Sequence, residues 1–600
     1  MRNADTSLAI VRERGRHGLD LEDVYRRLYN PDLYLRAYGR IYRNDGAMTR
    51  GTTDETVDGM SQDKILNIIE KLRFERYRWT PVRRTYIVKK GSTKMRPLGI
   101  PTWSDKLLQE VMRSVLEAYY EPQFSDRSHG FRPERGCHTA LRQVYATWAG
   151  TKWFIEGDIK GCFDNIDHTI LLSILREKIH DNRFLTLVEN LLKAGYLEQW
   201  DYRPTLSGTP QGGIISPLLA NIYLDQFDQY VEKTLIPEFT KGEWRKNNPA
   251  YVRLSRKIRT LHDKGTPETE LRPLRKELRE LRSKDEFDPK YRRLRYIRYA
   301  DDFILGFDGP REKAEEIKDR LGEFLRDHLK LELSQNKTLI THAGTEKARF
   351  LGYHISTFNH PHRRRRGVSG HIVLSIPPQV LEEKIARYTV GGEPVHRAEL
   401  THDDDFSIVA RFGSEYRGFV QYYAYARNRF WLNRLHWVMW RSLFKTLGRK
   451  HQTTTRQLVK RFTAKTITKN GVAKCVQVVV ERKDKPPLVT RFGGIALTPE
   501  PFAVIEDNLL DRDRLFIGRN EIVQRLLADT CELCGSREGV QVHHVRKLAD
   551  LKVKGRKARP YYVEVMSSRK RKTLIVCKEC HVAIHAGKPT RKPTSNGLGR

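Results

Sequence analysis

Acidic residues, cysteines and long apolar runs are all scarce in this 600-residue sequence. Asp and Glu number 74 against 110 Lys and Arg, leaving a formal net charge of +36 at pH 7. An excess this large, arginine-rich and spread along the chain, argues against a merely solvated surface. It favours a polyanionic partner, met through fast and salt-sensitive association. No apolar run approaches the roughly 20 residues of a spanning helix, and no basic amphipathic anchor stands out, so we expect no membrane partner. The opening MRNADTSLAIVRERG has too short an apolar core for a signal peptide and carries acids unlike a transit peptide. Cysteines number only seven. Cys137, Cys162 and Cys475 are isolated, while Cys531/Cys534 and Cys577/Cys580 form two Cys-x-x-Cys pairs. That pattern excludes a disulfide framework and points to one metal knot in a reducing compartment.

What is present is enough apolar material for real cores, 39% of residues, in a chain too long for one of them. Three or four domains are expected. Residues 20–75 carry apolar positions at helical spacing, as in LEDVYRRLYN and DKILNIIEKLRFERY. From about 80 to 360, short apolar strands alternate with helical segments, so the fold class is mixed α+β and multidomain. Residues 241–295 interrupt this with a polar, Arg/Lys/Glu-dense helical stretch, read as an inserted surface element. HPHRRRRG (360–367) marks a second break. Residues 378–450 are helical and aromatic-rich, 451–520 are basic with a Pro-bounded turn at KDKPPLV, and GKPTRKPTSNGLGR closes the chain as a frayed terminus.

Within RYADDFILG (298–306), Asp301 and Asp302 sit between apolar runs. Paired acids in a buried strand need something to satisfy them. Alone they read as a hairpin turn; a third carboxylate from another strand would make them half of a metal site. FIEGDIKGCFDNIDH (154–168) offers Asp158 at the end of an apolar strand. Carboxylates holding two Mg²⁺ ions are the recurring device for in-line nucleotidyl transfer.

The neighbouring motifs fall in one order: RPLGIPT (96–102), SHGFRPERGCHTAL (128–141), DIKGCFDNID (158–167), GTPQGGIISPLLANIYLD (208–225), YADD (299–302), LSQNKT (333–338) and FLGY (350–353). As a set this series resembles the reverse transcriptases, most closely the group II intron-encoded ones, over nearly the whole chain. The resemblance implies a right-hand polymerase with fingers, palm and helical thumb. It implies that Asp158, Asp301 and Asp302 hold two Mg²⁺ ions, with Asp301 the essential ligand and Asp302 an auxiliary, and that Ile159 lends a backbone carbonyl. Phe163 would lie under the sugar and exclude a 2′-hydroxyl, Gln211 would contact the incoming dNTP, and Lys337 and Arg96 would reach its phosphates. In YRGFVQYYAYARNRFWLNRLHWVMWRSLF (416–444), Phe419, Tyr422, Tyr423, Ala426 and Phe430 recur at helical spacing, interleaved with Arg417, Arg427, Arg429 and Arg434. A core face and a backbone-gripping face are expected there. The segment resembles the thumb, or maturase, domain of the same family, which implies intron RNA and a template–primer duplex as partners.

In the tail, CELC (531–534) and CKEC (577–580) suit a four-thiolate Zn²⁺ site. The gap between them exceeds the ~15–20 residues of a simple ribbon. It carries VHHVRKL, and CHVAIH follows the second pair. A ribbon alone would not need these four histidines. The arrangement resembles the HNH (ββα-metal) endonuclease domain of some group II intron proteins. That implies His544 as general base and His543, His581 and His585 as ligands of a catalytic divalent ion; neutral imidazole suits both tasks near pH 7. One departure stands out: Lys572, within SRKRKTL, falls where the family carries its bracing Asn, and SSRKRK reads as a DNA grip.

The expected domains are 1–370 for fingers and palm (N-terminal extension 1–80, insert 241–295), 371–450 for the thumb, 451–524 for a basic DNA-binding region and 525–600 for the HNH domain. The implied partners are the group II intron RNA, an RNA template with DNA primer, target double-stranded DNA and dNTPs. The implied setting is a ribonucleoprotein in the bacterial cytoplasm or nucleoid, or in an organelle. Two rival readings are weaker. Phe163 and the nuclease-like tail disfavour a viral RNA-dependent RNA polymerase. The intact acid set disfavours a splicing-only RNA binder, which gains nothing from unpaired acids.

Overall fold

The computed structural model describes residues 3–44, 46–88, 95–198, 201–203, 205, 207–208, 212–281, 283–285, 288–358, 370–482, 485–505, 521–551 and 560–590. Gln211, the basic run at 360–367, part of the KDKPPLV turn and the final ten residues lie outside them. The chain is mixed α and β, and among the described residues no helix is long and apolar enough to cross a membrane.

The N-terminal helices Ala4–Arg16, Pro31–Ile41 and Gln62–Arg73 gather around the long helix Trp103–Tyr120. Side chains cap their starts: Asn30 accepts from the Asp32 amide, Ser61 from Lys64 and Thr102 from Asp105. Beside them the strands Val82–Val88 and Met95–Ile100 pair antiparallel, and the first of these pairs parallel with Tyr196–Glu198.

The central four-stranded antiparallel sheet places Arg293–Tyr299 beside Asp302–Asp308, then Trp153–Asp158, then Ile340–His342. Apolar residues of the two middle strands are buried on both faces, which is why they read as continuous apolar runs. The helix Ser216–Tyr230 packs below, with Phe227 against Phe303 at 5.1 Å. The charged insert is a pair of helices, Pro249–Asp263 and Glu268–Glu280, whose buried residues are Leu254, Ile258 and Leu271. Bridges Lys241–Arg292 and Asn247–Lys284 close its base, so it projects from the sheet without interrupting it.

Helices Pro378–Ala386, Asp405–Tyr422 and Leu432–His451 form a second core with Trp148, Ile304 and Tyr353. This core extends past residue 450. The three-stranded sheet Thr463–Thr468, Gly471–Arg482 and Lys485–Gly493 lays Val476 and Phe492 into it, and Phe492 stacks on His436 at 5.1 Å. The core face expected of 416–444 is largely buried, with two departures in the pattern. Arg417, Arg427 and Arg434 are exposed, but Arg429 is buried and donates to the Val420 and Thr498 carbonyls. Phe430, read as part of the apolar stripe, is exposed, because the helix breaks at 423–428 and shifts the phase of the stripe. The tail pairs Gln541–His544 with Thr573–Val576 and adds the helices Tyr561–Ser568 and Lys578–His585 around a small core, while Val540, Val542 and Ile575 pack into the N-terminal core.

Candidate active sites

Asp158 ends one middle strand and Asp302 begins its neighbour, and the register sets the two directly opposite each other. Asp301 occupies the turn between strands, next to Ala300, whose φ of 56° is the left-handed region that non-glycine residues rarely adopt. Two contacts hold that turn. Gly130 packs so close that a Cβ there would come within 2.3 Å of the Ala300 nitrogen. Arg298, 0% exposed, donates to the Ala300 carbonyl (2.8 Å), to both Asp228 oxygens (2.8 and 2.6 Å), to Asn221 (3.1 Å) and to Ser128 (2.9 Å). Its forked guanidinium clamps the turn to the helix beneath. Sequence reasoning missed Arg298 and Asp228. Their signal, a charged residue inside a buried strand and an acid inside a buried helix, was legible only as an anomaly.

The acids crowd one another. Burial, then Asp301, then Asp158 push the Asp302 carboxyl up to about 7. Burial and Asp158 raise Asp301, while Arg96 and Lys337 pull it down. Lys337 reaches Asp158 with an Nζ–Oδ2 distance of 2.8 Å. Ile159 is buried and bridges to Leu333, the first residue of LSQNKT. Phe163, in the single turn Cys162–Asn165, packs edge-on to Phe131 at 6.2 Å. Gln211 lies outside the described residues, but Gly212 follows it with φ at 106°, and a Cβ there would meet the Gly99 carbonyl at 2.4 Å. Gly212 thus lies against the strand that carries Arg96. Asp158 and Asp302 paired across the strands, with Asp301 coupled to both and Lys337 on Asp158, offer a carboxylate chemistry suited to divalent cations.

In the tail the four cysteine sulfurs converge, Cys534 and Cys577 lying 3.7 Å apart. Backbone amides of Cys534 and Cys580 donate to Cys531 Sγ and Cys577 Sγ (3.4 and 3.5 Å). This set fits a tetrahedral thiolate ion site. The second cluster joins His543, His581 and His585, with a fourth member that the sequence did not suggest, Asp58. His543 Nδ1 is buried with no hydrogen-bond partner among the described residues, as a nitrogen intended for a metal would be. His581 Nδ1 lies 2.8 Å from Gln541 Oε1, which leaves Nε2 for an ion. His543 and His581 outweigh burial and hold the Asp58 carboxyl well below its usual range. His544 is buried, its Nε2 is 3.0 Å from the Tyr38 hydroxyl, and burial lowers its pKa to about 3. Lys572 is exposed; its backbone carbonyl accepts from the Val545 amide at 2.9 Å and closes the hairpin.

Comparison with known proteins matches each of these units. Residues 87–355 match the family described as reverse transcriptase (RNA-dependent DNA polymerase), 374–492 match type II intron maturase, and 531–581 match the AI2M/AI1M-like HNH endonuclease. The chain is 39% identical over 592 residues to the group II intron-encoded protein LtrA of Lactococcus lactis subsp. cremoris, covering 94% of this chain and 96% of that protein. It is 34% identical to the uncharacterized 91 kDa protein in cob intron of Schizosaccharomyces pombe, over 94% of this chain and 69% of that one. With the three carboxylates and the four thiolates lying inside those matched segments, the chain belongs to the group II intron-encoded proteins, as a reverse transcriptase and maturase with an HNH endonuclease domain.

Proposed function

We propose that the four-stranded sheet is the palm of a right-hand polymerase, that residues 1–370 supply fingers and palm, that 371–450 form the thumb, that 451–524 bind DNA and that 525–600 nick it. The protein would bind its own intron RNA to aid splicing, nick target double-stranded DNA, and extend the nicked 3′ end with dNTPs on the RNA template. It would work as a ribonucleoprotein in the cytoplasm. The observation that carries this reading is the direct cross-strand pairing of Asp158 with Asp302 and the crowding of Asp301 beside them.

In this reading Asp158 and Asp301 are the principal ligands, with Asp302 auxiliary and the Ile159 carbonyl completing the set. Mg²⁺ bound there supplies charge stabilisation for the attacking 3′-oxygen and the leaving pyrophosphate. Lys337 neutralises Asp158 while the site is empty of substrate and turns to the triphosphate when it fills; Arg96 meets the same phosphates from the separate sheet that holds Met95–Ile100. Gln211 positions the base pair and Phe163 leaves no room for a 2′-hydroxyl. In the tail, Zn²⁺ on Cys531, Cys534, Cys577 and Cys580 holds the fold, and His543, His581 and His585 hold the divalent ion that polarises the scissile phosphate. His544 takes a proton from the attacking water.

Primer extension on an RNA template tests the polymerase centre. Asp301→Asn should lower cDNA synthesis by about 10³-fold or more, since a lost metal ligand removes several kcal/mol of transition-state stabilisation. Intron RNA binding should stay within about twofold, well under 1 kcal/mol. Extension at the wild-type rate would remove the assignment.

A further inference from the structure

The nuclease-like centre is not built by the tail alone. Asp58 belongs to the N-terminal segment between helices Pro31–Ile41 and Gln62–Arg73, 486 residues ahead of His544. Its Oδ1 accepts the His544 amide at 2.8 Å and lies 3.1 Å from His581 Nε2 and 3.4 Å from His543 Nδ1. Its Oδ2 lies 2.8 Å from His585 Nε2. The backbone on either side is zipped to the tail hairpin: the Gly59 amide donates to the Val542 carbonyl at 3.0 Å, and the Val542 amide donates to the Met60 carbonyl at 2.9 Å. Tyr38, on the helix before this segment, holds His544 Nε2, and the Tyr42 ring lies 6.1 Å from the imidazole.

Two needs of phosphodiester hydrolysis at such a centre meet an obstacle in this arrangement. The ion must keep an open position for an anionic phosphate oxygen. Here a carboxylate, an anion of similar reach, already lies among the three imidazoles that would hold the ion. The base must also reach a water molecule. Here His544 is 6% exposed and its Nε2 faces a tyrosine hydroxyl.

Taking the nuclease reading above as its basis, we propose that Asp58 is an internal stand-in for the scissile DNA phosphate. The N-terminal segment and Tyr38 keep the endonuclease closed, and a DNA phosphodiester reaches the ion only by displacing Asp58 and parting the Met60–Val542 pair. The contact ties the state of the nuclease to the polymerase end of the chain, so nicking waits for a target able to compete with the carboxylate. The tail has its own thiolate knot and a small core, while Val540, Val542 and Ile575 of its paired strands pack into the N-terminal core.

The test uses the full-length protein with its intron RNA, saturating Mg²⁺ and a target DNA duplex. Asp58→Ala should raise the nicking rate by roughly 5–150-fold, the usual span of coupling between sites, with cDNA synthesis unchanged. Tyr38→Phe should raise nicking less. In the wild-type protein, hydrogen exchange at the Gly59, Val542 and His544 amides should be slow without DNA and faster with it. Slower nicking in Asp58→Ala would make Asp58 a working ligand and overturn the lock, as would an unchanged rate. Protection at those amides that persists while DNA is cleaved overturns it as well. His544→Ala, alone and combined with Asp58→Ala, separates the two ideas. Nicking lost in both leaves the nuclease reading standing whatever Asp58 does; nicking retained in both removes that reading itself.

Discussion

Asp158 and Asp302 come from neighbouring strands of one sheet and Asp301 from the turn beside them, whereas Asp58 and His585, in contact at 2.8 Å, are 527 residues apart in the chain. The first cluster is fixed by hydrogen-bond register and by a buried ion pair beneath its turn. The second is assembled by docking one end of the chain against the other, with His543 and His581 buried and His585 exposed. Register within a sheet cannot change without flipping every side chain to the other face. A docked surface can separate with little loss inside either partner. Polymerase geometry is therefore built as a constant, and nuclease geometry as something that can be opened.

Removing the zinc site should give the largest departure between the two. Cys531→Ser takes one thiolate from a knot of a kind worth about 10–16 kcal/mol of folding free energy. Loss of zinc by metal analysis and protease sensitivity confined to residues after about 525 are expected, with cDNA synthesis retained. Polymerase loss in that variant would show that the carboxylate centre depends on the tail. Next in size is the clamp under the polymerase turn. Arg298→Met strips the buried Asp228 of its charged partner and leaves it the Tyr296 hydroxyl, a cost of about 3–5 kcal/mol. A falling melting temperature together with failing primer extension is the expected result; full activity would mean that register alone holds Asp301. The smallest effect concerns selectivity. Phe163→Ala should lose roughly 10–200-fold of the preference for dNTPs over ribonucleotides, the scale on which apolar pockets discriminate by shape. Competitive incorporation assays measure this, and an unchanged ratio would detach Phe163 from the sugar.

Much of the polymerase centre was legible in sequence because its parts are local. Apolar runs that end in Asp158 and flank Asp301 announce buried strands with acids at their tips, and motif order set the strands in one domain. Arg298 was on the page too, one position before YADD, but its role depends on Asp228 and Asn221 in a helix some 70 residues earlier. Arg429, read as a grip for nucleic acid, turned inward because the segment at 498–500 offers it carbonyl acceptors. No periodicity predicts such a partner. The tail divides in the same way: spacing announced four thiolates and three imidazoles, but Asp58 sits in a turn-rich connector, NDGAMTRGTTDETVDGM, with nothing to mark it off from its neighbours.

The sequence by itself determined the ligand types, their order and the folds that carry them, because side-chain chemistry and strand or helix period are properties of neighbouring residues. The tertiary structure alone decided which carboxylate faces which. Burial of apolar surface brings the strand ends together in one sheet and brings the N-terminal helices against the tail, and only then do electrostatics act between groups hundreds of residues apart. That is why the acids of YADD could be read in advance, and why the carboxylate among the tail histidines could not.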